Sequence, residues 1–370
     1  MRLLTALALA AGAAATRVGW NVGSVVVIND KWHQPGVDQT YWQLDRAIEA
    51  GAKTVRFGCS YWDFGTVTWN ATGANTLRFN PFWDWIDARR EIVKRAKGAG
   101  MKVLLSFPDI FEYPWWWSDD QKAWEAWSGA YADFLHAVLG NMGQWVDVIG
   151  VGNEMNFGRF AYTQLPKDYF QALWDAPTPE AAWAMEPPDY LVAYWAQYRQ
   201  VMQFTKDVIG DIKPGLGLTT NTFGFPSHNM IVAAARFHAA LNQGRVVETQ
   251  YDLNFYPEPN KHWVPNVSAQ IAKFREVVQA HGGADLPIGI EEFGYNTLQG
   301  PYPFSTIPGL LEELANTDRV EDIQIYHMQD NGGNPSDTES FFGTYDKNNN
   351  VKGELGQAIL NKVKQLNAQA

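Results

Sequence analysis

Thiols are nearly absent from this chain: Cys59 is the single cysteine in 370 residues. One thiol excludes an intramolecular disulfide and any zinc site built from thiolates. Histidine is also sparse. The seven histidines form no His-x-His pair and no His-Glu-x-x-His, so the usual histidine metal signatures are missing. There is no Walker loop, no Gly-x-Gly-x-x-Gly and no Gly-x-Ser-x-Gly elbow, which removes the short signals of nucleotide binding and of serine esterases. No metal and no cofactor is expected. Positive charge is in short supply as well. The net charge of −11 makes nucleic acid and anionic membranes poor partners and disfavours a strongly acidic polysaccharide. Only 19% of residues are charged, against 46% hydrophobic, which argues against disorder and supplies a sizeable core.

Long hydrophobic runs are missing after the first residues. Residues 1–15 read as a secretory signal. Arg2 gives a positive end, Leu3 to Ala11 form an apolar run too short to span a bilayer, and Ala13-Ala14-Ala15 offers a cleavage site. The expected product is secreted or periplasmic, is a monomer, and contacts no membrane once the signal is removed.

What remains, residues 16–370, alternates strand-like and helix-like segments eight times. The strand candidates are Val18–Ser24, Lys53–Gly58, Met101–Phe107, Val146–Gly152, Gly215–Asn221, Tyr251–Tyr256, Pro287–Glu292 and Asp322–Met328. They are short and rich in Val, Ile, Leu or Phe, as buried parallel strands are. Between them, Trp124, Trp127, Tyr131, Phe134, Leu135 and Val138 recur at helical spacing. Eight βα units without an intervening linker predict an α/β fold made of a single (β/α)8 TIM barrel. A doubly wound open sheet is the alternative. The longest connections, Cys59–Asn80 and Asn153–Pro188, lie on the face where such barrels build their sites.

Two strings at that face carry chemistry. Val151-Gly152-Asn153-Glu154 ends the fourth strand, and Gly289-Ile290-Glu291-Glu292-Phe293-Gly294 ends the seventh. By the period-two rule Glu154 shares a side with Val148, Gly150 and Gly152, and so points over the barrel mouth. Only one of Glu291 and Glu292 is expected to face the mouth, the other lying at the surface or toward the helices; alternation does not decide which. On the sixth strand Asp252, Asn254 and Tyr256 alternate with Leu253 and Phe255. Arg56 sits between Val55 and Phe57, and a cation among apolar neighbours needs an acidic partner. A strand-seven glutamate fits that need.

With these residues the chain resembles the retaining glycoside hydrolases whose (β/α)8 barrels carry an acid/base Glu after strand four and a nucleophilic Glu after strand seven, among them families 5, 39 and 53. Asn153-Glu154 matches their Asn-Glu motif, and Glu292-Phe293-Gly294 their Glu-Phe-Gly. The resemblance spans roughly Arg17 to Gln365. It implies that Glu154 is the acid/base and Glu292 the nucleophile. It further implies that Asn153 meets the sugar 2-hydroxyl, while Arg56 and Tyr256 hold the nucleophile. Two departures stand out: Asn254 occupies a position that is often His in family 5, and Tyr326-His327-Met328 replaces the usual Trp after strand eight. The implied reaction is double displacement, with carboxyl groups about 5–5.5 Å apart.

Aromatics are abundant, with 17 tryptophans. Trp124, Trp127 and Trp195 fit helix faces, and Phe82, Trp85 and Ile86 also read as core. Tyr61, Trp62 and Trp69, then Trp115-Trp116-Trp117 and Trp263, fall in connections on the site face. Sugar rings stack their C–H faces on such rings, so Trp62, Trp116 and Trp263 are candidate substrate contacts. Asp109, Glu112 and His33 are candidate rim contacts. The sequence thus points to hydrolysis of β-bonds in a neutral carbohydrate, with endo action on β-mannan or β-glucan favoured. A transglycosylase with the same carboxylates, a non-catalytic glycan-binding barrel and a metal-dependent barrel hydrolase are the competing readings.

Overall fold

The computed structural model describes residues 16–23, 26–28, 31–33, 36–59, 61, 64–70, 76–107, 121–155, 167–222, 229–257, 267–298, 306–330 and 338–369. The segment read as a signal lies outside them. In chain order, β1 (Arg17–Val22) is followed by a hairpin of β2 (Val26–Ile28) and β3 (Lys31–His33), then α1 (Val37–Glu49). Next come β4 (Thr54–Gly58), a second hairpin of β5 (Gly65–Asn70) and β6 (Thr76–Pro81), and α2 (Trp83–Gly98). Strand β7 (Lys102–Phe107) leads to α3 (Gln121–Met142), and β8 (Val148–Val151) to α4 (Lys167–Trp174), α5 (Pro179–Trp183) and α6 (Asp189–Ile212). Then follow β9 (Gly217–Thr219), β10 (Asn221–Thr222), α7 (Ile231–Leu241), β11 (Tyr251–Phe255) and α8 (Val267–Ala280). The chain closes with β12 (Ile288–Gly294), α9 (Thr306–Ala315), β13 (Val320–Tyr326) and α10 (Gly353–Asn367).

The main sheet runs β10-β11-β12-β13-β1-β4-β7-β8-β9, and every pairing in it is parallel. Strands β9 and β10 are two pieces of one strand split at Thr220, so the ring has eight members and is the expected (β/α)8 barrel. The first and last strands, β1 and β13, pair with each other. Among the described residues no helix is long and apolar enough to cross a membrane.

Parity sorts each barrel strand into two chemistries. On β7, Val103, Leu105 and Phe107 face the helices and are buried; the Phe107 ring meets Phe134 of α3 at 4.9 Å. Trp20 on β1 is fully buried and donates its indole N–H to Thr344 Oγ1 at 3.1 Å. The core is therefore the annulus between strands and helices. The other parity, facing the barrel axis, is largely polar. At its base Lys102 Nζ donates to Gln250 Oε1 at 2.7 Å and pairs with Asp322, which also accepts from Arg17 Nε at 2.7 Å. Gln250 Nε2 in turn donates to both Asp252 oxygens, at 2.8 and 3.0 Å. Buried polar groups persist only when paired, and here the pairing forms a column up the axis.

Two expectations are corrected. Phe82 and Trp85 are 42% and 48% exposed, as is Trp83 at 53%. They stand at the N-terminal end of α2, and only Ile86 of that set is buried. The long connection after β4 carries structure of its own in its described residues. It holds the β5–β6 hairpin, which is tied to the barrel by Phe79, buried against Phe134 at 5.2 Å.

Candidate active site

Strand β8 stops because its end is fixed from both sides. Tyr198 Oη and Thr220 Oγ1 each donate to Val151 O at 2.6 Å. Gly152 then adopts φ +75°, where a Cβ would lie 2.4 Å from Met155 Cγ and 2.8 Å from Tyr198 Oη. Glu154 itself has φ 51°, a left-handed conformation that costs a non-glycine residue about 1–3 kcal/mol. Such strain persists only where neighbours over-determine it. Here Glu154 N donates to Asn221 Oδ1 at 3.4 Å, and Asn254 Nδ2 donates to Glu154 Oε1 at 3.1 Å. The turn thus aims a buried carboxylate inward from the end of strand four.

The seventh strand solves a different problem. Against β11, Asp252 pairs with Gly289 and Leu253 with Ile290, but Asn254 pairs with Glu292. Glu291 is the extra residue of a β-bulge, which breaks strict alternation. Both adjacent glutamates therefore turn toward Arg56. Its Nη1 donates to Glu292 Oε1 at 2.8 Å, and its Nε lies 3.2 Å from Glu291 Oε2. The expectation that one glutamate lies at the surface or toward the helices is overturned, since Glu291 and Glu292 are both buried. Arg56 also donates to Asn21 Oδ1 and Ser106 Oγ, each at 3.0 Å. Tyr256 donates its phenol to Glu292 Oε2.

Electrostatics follow from this crowding. Burial alone would lower the Arg56 pKa, but the charges of Glu291 and Glu292 outweigh it and hold it above its ordinary value, so the guanidinium is permanently cationic. Burial, reinforced by the Glu292 charge, pushes the Tyr256 phenol well up and keeps it a donor. Burial and then Glu291 push Asp252 well above the usual carboxylate range.

Of the sequence candidates, Glu154, Glu292, Arg56, Tyr256 and Asn254 meet in one hydrogen-bonded group. Arg56 and Asn254 spend their donors on carboxylates and on neighbours of the same network. Asn153 stands half-buried beside Glu154, and its Oδ1 is buried without a hydrogen-bond partner among the described residues. Trp62, Trp115–Trp117, Trp263, Asp109 and Glu112 lie outside the described residues, as do the side chains of Trp69 and His33. Tyr61 is described and is buried. Three participants went unread in the sequence, Asn21, Ser106 and Asn221, and a fourth, Tyr326, was read only as a departure from the usual Trp. The first three sit at inward parity on β1, β7 and β10, which is the signal that would have found them. Tyr326 closes β13, half-buried, with its ring edge-on to Tyr256 at 6.1 Å and to Phe342 at 5.6 Å.

A parallel barrel of eight βα units, with strand-four and strand-seven carboxylates joined across its mouth, has the architecture of the barrel glycoside hydrolases. Particular solved structures share this fold. A GH5_18 protein from Bifidobacterium longum in complex with Manβ1-4GlcNAc superposes with TM-score 0.59 at 14% identity, covering 96% of this chain and 78% of that one. A GH5_18 protein from Streptomyces cattleya in complex with GlcNAc gives 0.59 at 15%, covering 97% and 82%. A family 39 glycoside hydrolase from Bacteroides cellulosilyticus gives 0.59 at 14%, covering 95% and 64%. No family model matches the chain, and no curated protein matches it.

Proposed function

We propose that the protein is a secreted retaining β-glycosidase that cleaves a neutral carbohydrate by double displacement. The observation that carries this reading is the hydrogen-bonded group joining Glu154 to Glu292 across the barrel mouth. Glu292 is equipped as the nucleophile: a permanent cation and a phenol donor hold its two oxygens. Glu154 is equipped as the acid/base, set on a strained turn and steered by Asn254. Glu154 gives its proton to the glycosidic oxygen as Glu292 attacks the anomeric carbon and the leaving sugar departs. Water then gives a proton back to Glu154 while its oxygen displaces Glu292 from the glycosyl ester. The unpaired Asn153 Oδ1 accepts from a sugar hydroxyl. Tyr326 offers its ring as the floor for the reacting sugar, where family 5 members tend to carry Trp.

A β-mannosyl or β-glucosyl substrate is the first choice. The GH5_18 complex with Manβ1-4GlcNAc supports a β-linked mannosyl unit, and endo action on β-mannan or β-glucan is tested beside it. The decisive experiment is a screen of purified protein on β-mannan, β-glucan, xylan, galactan and aryl β-glycosides, with the product anomer followed by NMR. Retention of the β-configuration is expected, and Glu154→Gln should lower turnover by about 10²–10⁴-fold while ligand binding survives. Inverted product, or turnover untouched by that change, would refute the scheme. Export is tested by N-terminal sequencing of protein recovered outside the cytoplasm, which should begin near Thr16.

A further inference from the structure

Four carboxyl groups, Glu154, Glu291, Glu292 and Asp252, share the upper barrel with one guanidinium. A low-dielectric interior does not hold four anions against one cation, and the hydrogen bonds show where a proton belongs. Glu291 Oε2 accepts from Asn221 Nδ2 at 2.9 Å and faces Arg56 Nε. Its main-chain oxygen accepts from Asn21 Nδ2 at 2.8 Å. Glu291 Oε1 is buried and meets no donor among the described residues. Asp252 stands beside it at inward parity on β11, in space left by Gly289, where a Cβ would run into Asp252 Oδ1. Burial and the Glu291 charge favour the protonated form of Asp252, and that proton is the donor Glu291 Oε1 lacks.

The Glu291 network reaches both proposed catalytic groups. Through Arg56 it touches Glu292. Through Asn221 it touches Glu154, because the Asn221 Nδ2 that donates to Glu291 also donates to Asn254 Oδ1 at 2.8 Å. That bond leaves Asn254 Nδ2 for Glu154 Oε1, and Asn221 Oδ1 accepts the Glu154 main-chain N–H. The charge on Glu291 therefore sets the direction of two amides and, with them, the seat of the acid/base.

We propose that Glu291 is an ionised positioning residue beneath the active site, kept in place by a neutral Asp252 that shares its proton with it, and that its charge sets the pH range of catalysis. This proposal rests on the glycosidase reading. Arg56 from β4 faces Glu291, as does Asp252 from β11; Glu292 on its own strand is linked to it through Arg56, Tyr256 at the end of β11 through Glu292, and Glu154 after β8 through Asn254 and Asn221. Lys102 on β7 and Asp322 on β13 pair with each other deeper in the barrel. Taking one negative charge out of a cluster of acids eases proton release from those that remain, so both limbs of the bell-shaped kcat/KM profile should move to lower pH in Glu291→Gln.

The test compares Glu291→Gln and Asp252→Asn with the wild-type enzyme on its best aryl glycoside. Glu291→Gln should carry both limbs down by about one pH unit. Asp252→Asn, which copies the neutral acid, should leave both limbs in place whatever it does to turnover. Limbs unmoved in folded Glu291→Gln, or moved as far by Asp252→Asn, would overturn the proposal. A second readout needs no turnover. The infrared spectrum of the wild-type protein at neutral pH should show a protonated-carboxyl C=O stretch that is missing from Asp252→Asn; its absence from wild type would overturn the proton sharing. Should the wild-type protein cleave no glycoside while the band is present and lost in Asp252→Asn, the glycosidase reading fails and the carboxyl pair stands.

Discussion

Arg56 concentrates the energetics of the site in one side chain. It is buried between Glu291 and Glu292, so its worth lies less in attraction than in what its loss would leave behind. Removing one partner of a buried ion pair strands the other charge, typically at a cost of about 3–5 kcal/mol. Arg56→Met should therefore lower the unfolding free energy by roughly that amount in urea titrations. Lost activity should not return when the variant is assayed at low temperature, where it is fully folded. Recovery of wild-type kcat under those conditions would show that Arg56 holds the fold and not the nucleophile. The same logic explains why the residue was legible from sequence: a cation between Val55 and Phe57 demands an acid, and the barrel supplies two. Tyr326 was less legible. It ends a strand that reads as core, and only folding turns its ring toward Tyr256.

Strands carry the positional information, and alternation is the code in which sequence shows it. All eight barrel strands were readable as short apolar runs between helical periods, because their outward faces must cover the helices. The inward parity then exposed Asp252, Asn254 and Tyr256 as one polar face. What alternation cannot show is an inserted residue. The bulge at Glu291 places two consecutive side chains on one side, and a period-two reading has no symbol for that. The hairpin β5–β6 escaped for a related reason: among the described residues its strands pair only with each other, outside the barrel repeat. The turn after β8 makes the sharpest element-level demand. Gly152→Ala would force φ +75° on a residue with a Cβ and press it against Met155 and the anchored Tyr198 hydroxyl. It should cost about 1–3 kcal/mol. It should also depress kcat more than KM, because the displaced residue two positions on is Glu154. A thermal shift with unaltered kcat would show that the turn does not aim the carboxylate.

At the scale of the molecule, closure of the ring depends on its ends. Asn367 at the end of α10 accepts from Val18 N at 2.9 Å and donates to Val18 O and Gly51 O at 2.8 and 2.9 Å, fastening the last helix over the first strand. Near the other edge of that seam, His327 follows β13. It is buried, its main-chain N–H donates to Phe342 O at 3.1 Å, and Lys352 lies close enough to repel a second positive charge. Burial first, and Lys352 second, lower its pKa from 6.5 to about 3. The folded protein thus holds a neutral imidazole where the unfolded chain takes a proton. Above pH 6.5 both states are neutral and the full stability is present. As pH falls from 6.5 toward 3 the unfolded state binds the proton alone, and stability drops by up to about 1.4 kcal/mol per pH unit. Asp330, which burial pushes above its ordinary carboxylate value, has the opposite sign: its folded form takes up protons more readily, which favours the fold as pH falls. A comparison of His327→Gln with wild type cancels that background. The variant should be less stable at pH 7, and the gap should narrow steadily between pH 6 and pH 4 as the wild type alone loses the imidazole contribution. Melting curves whose separation stays constant across that range would mean that His327 is protonated in the folded barrel, and would remove it as the acid-sensitive point of the ring.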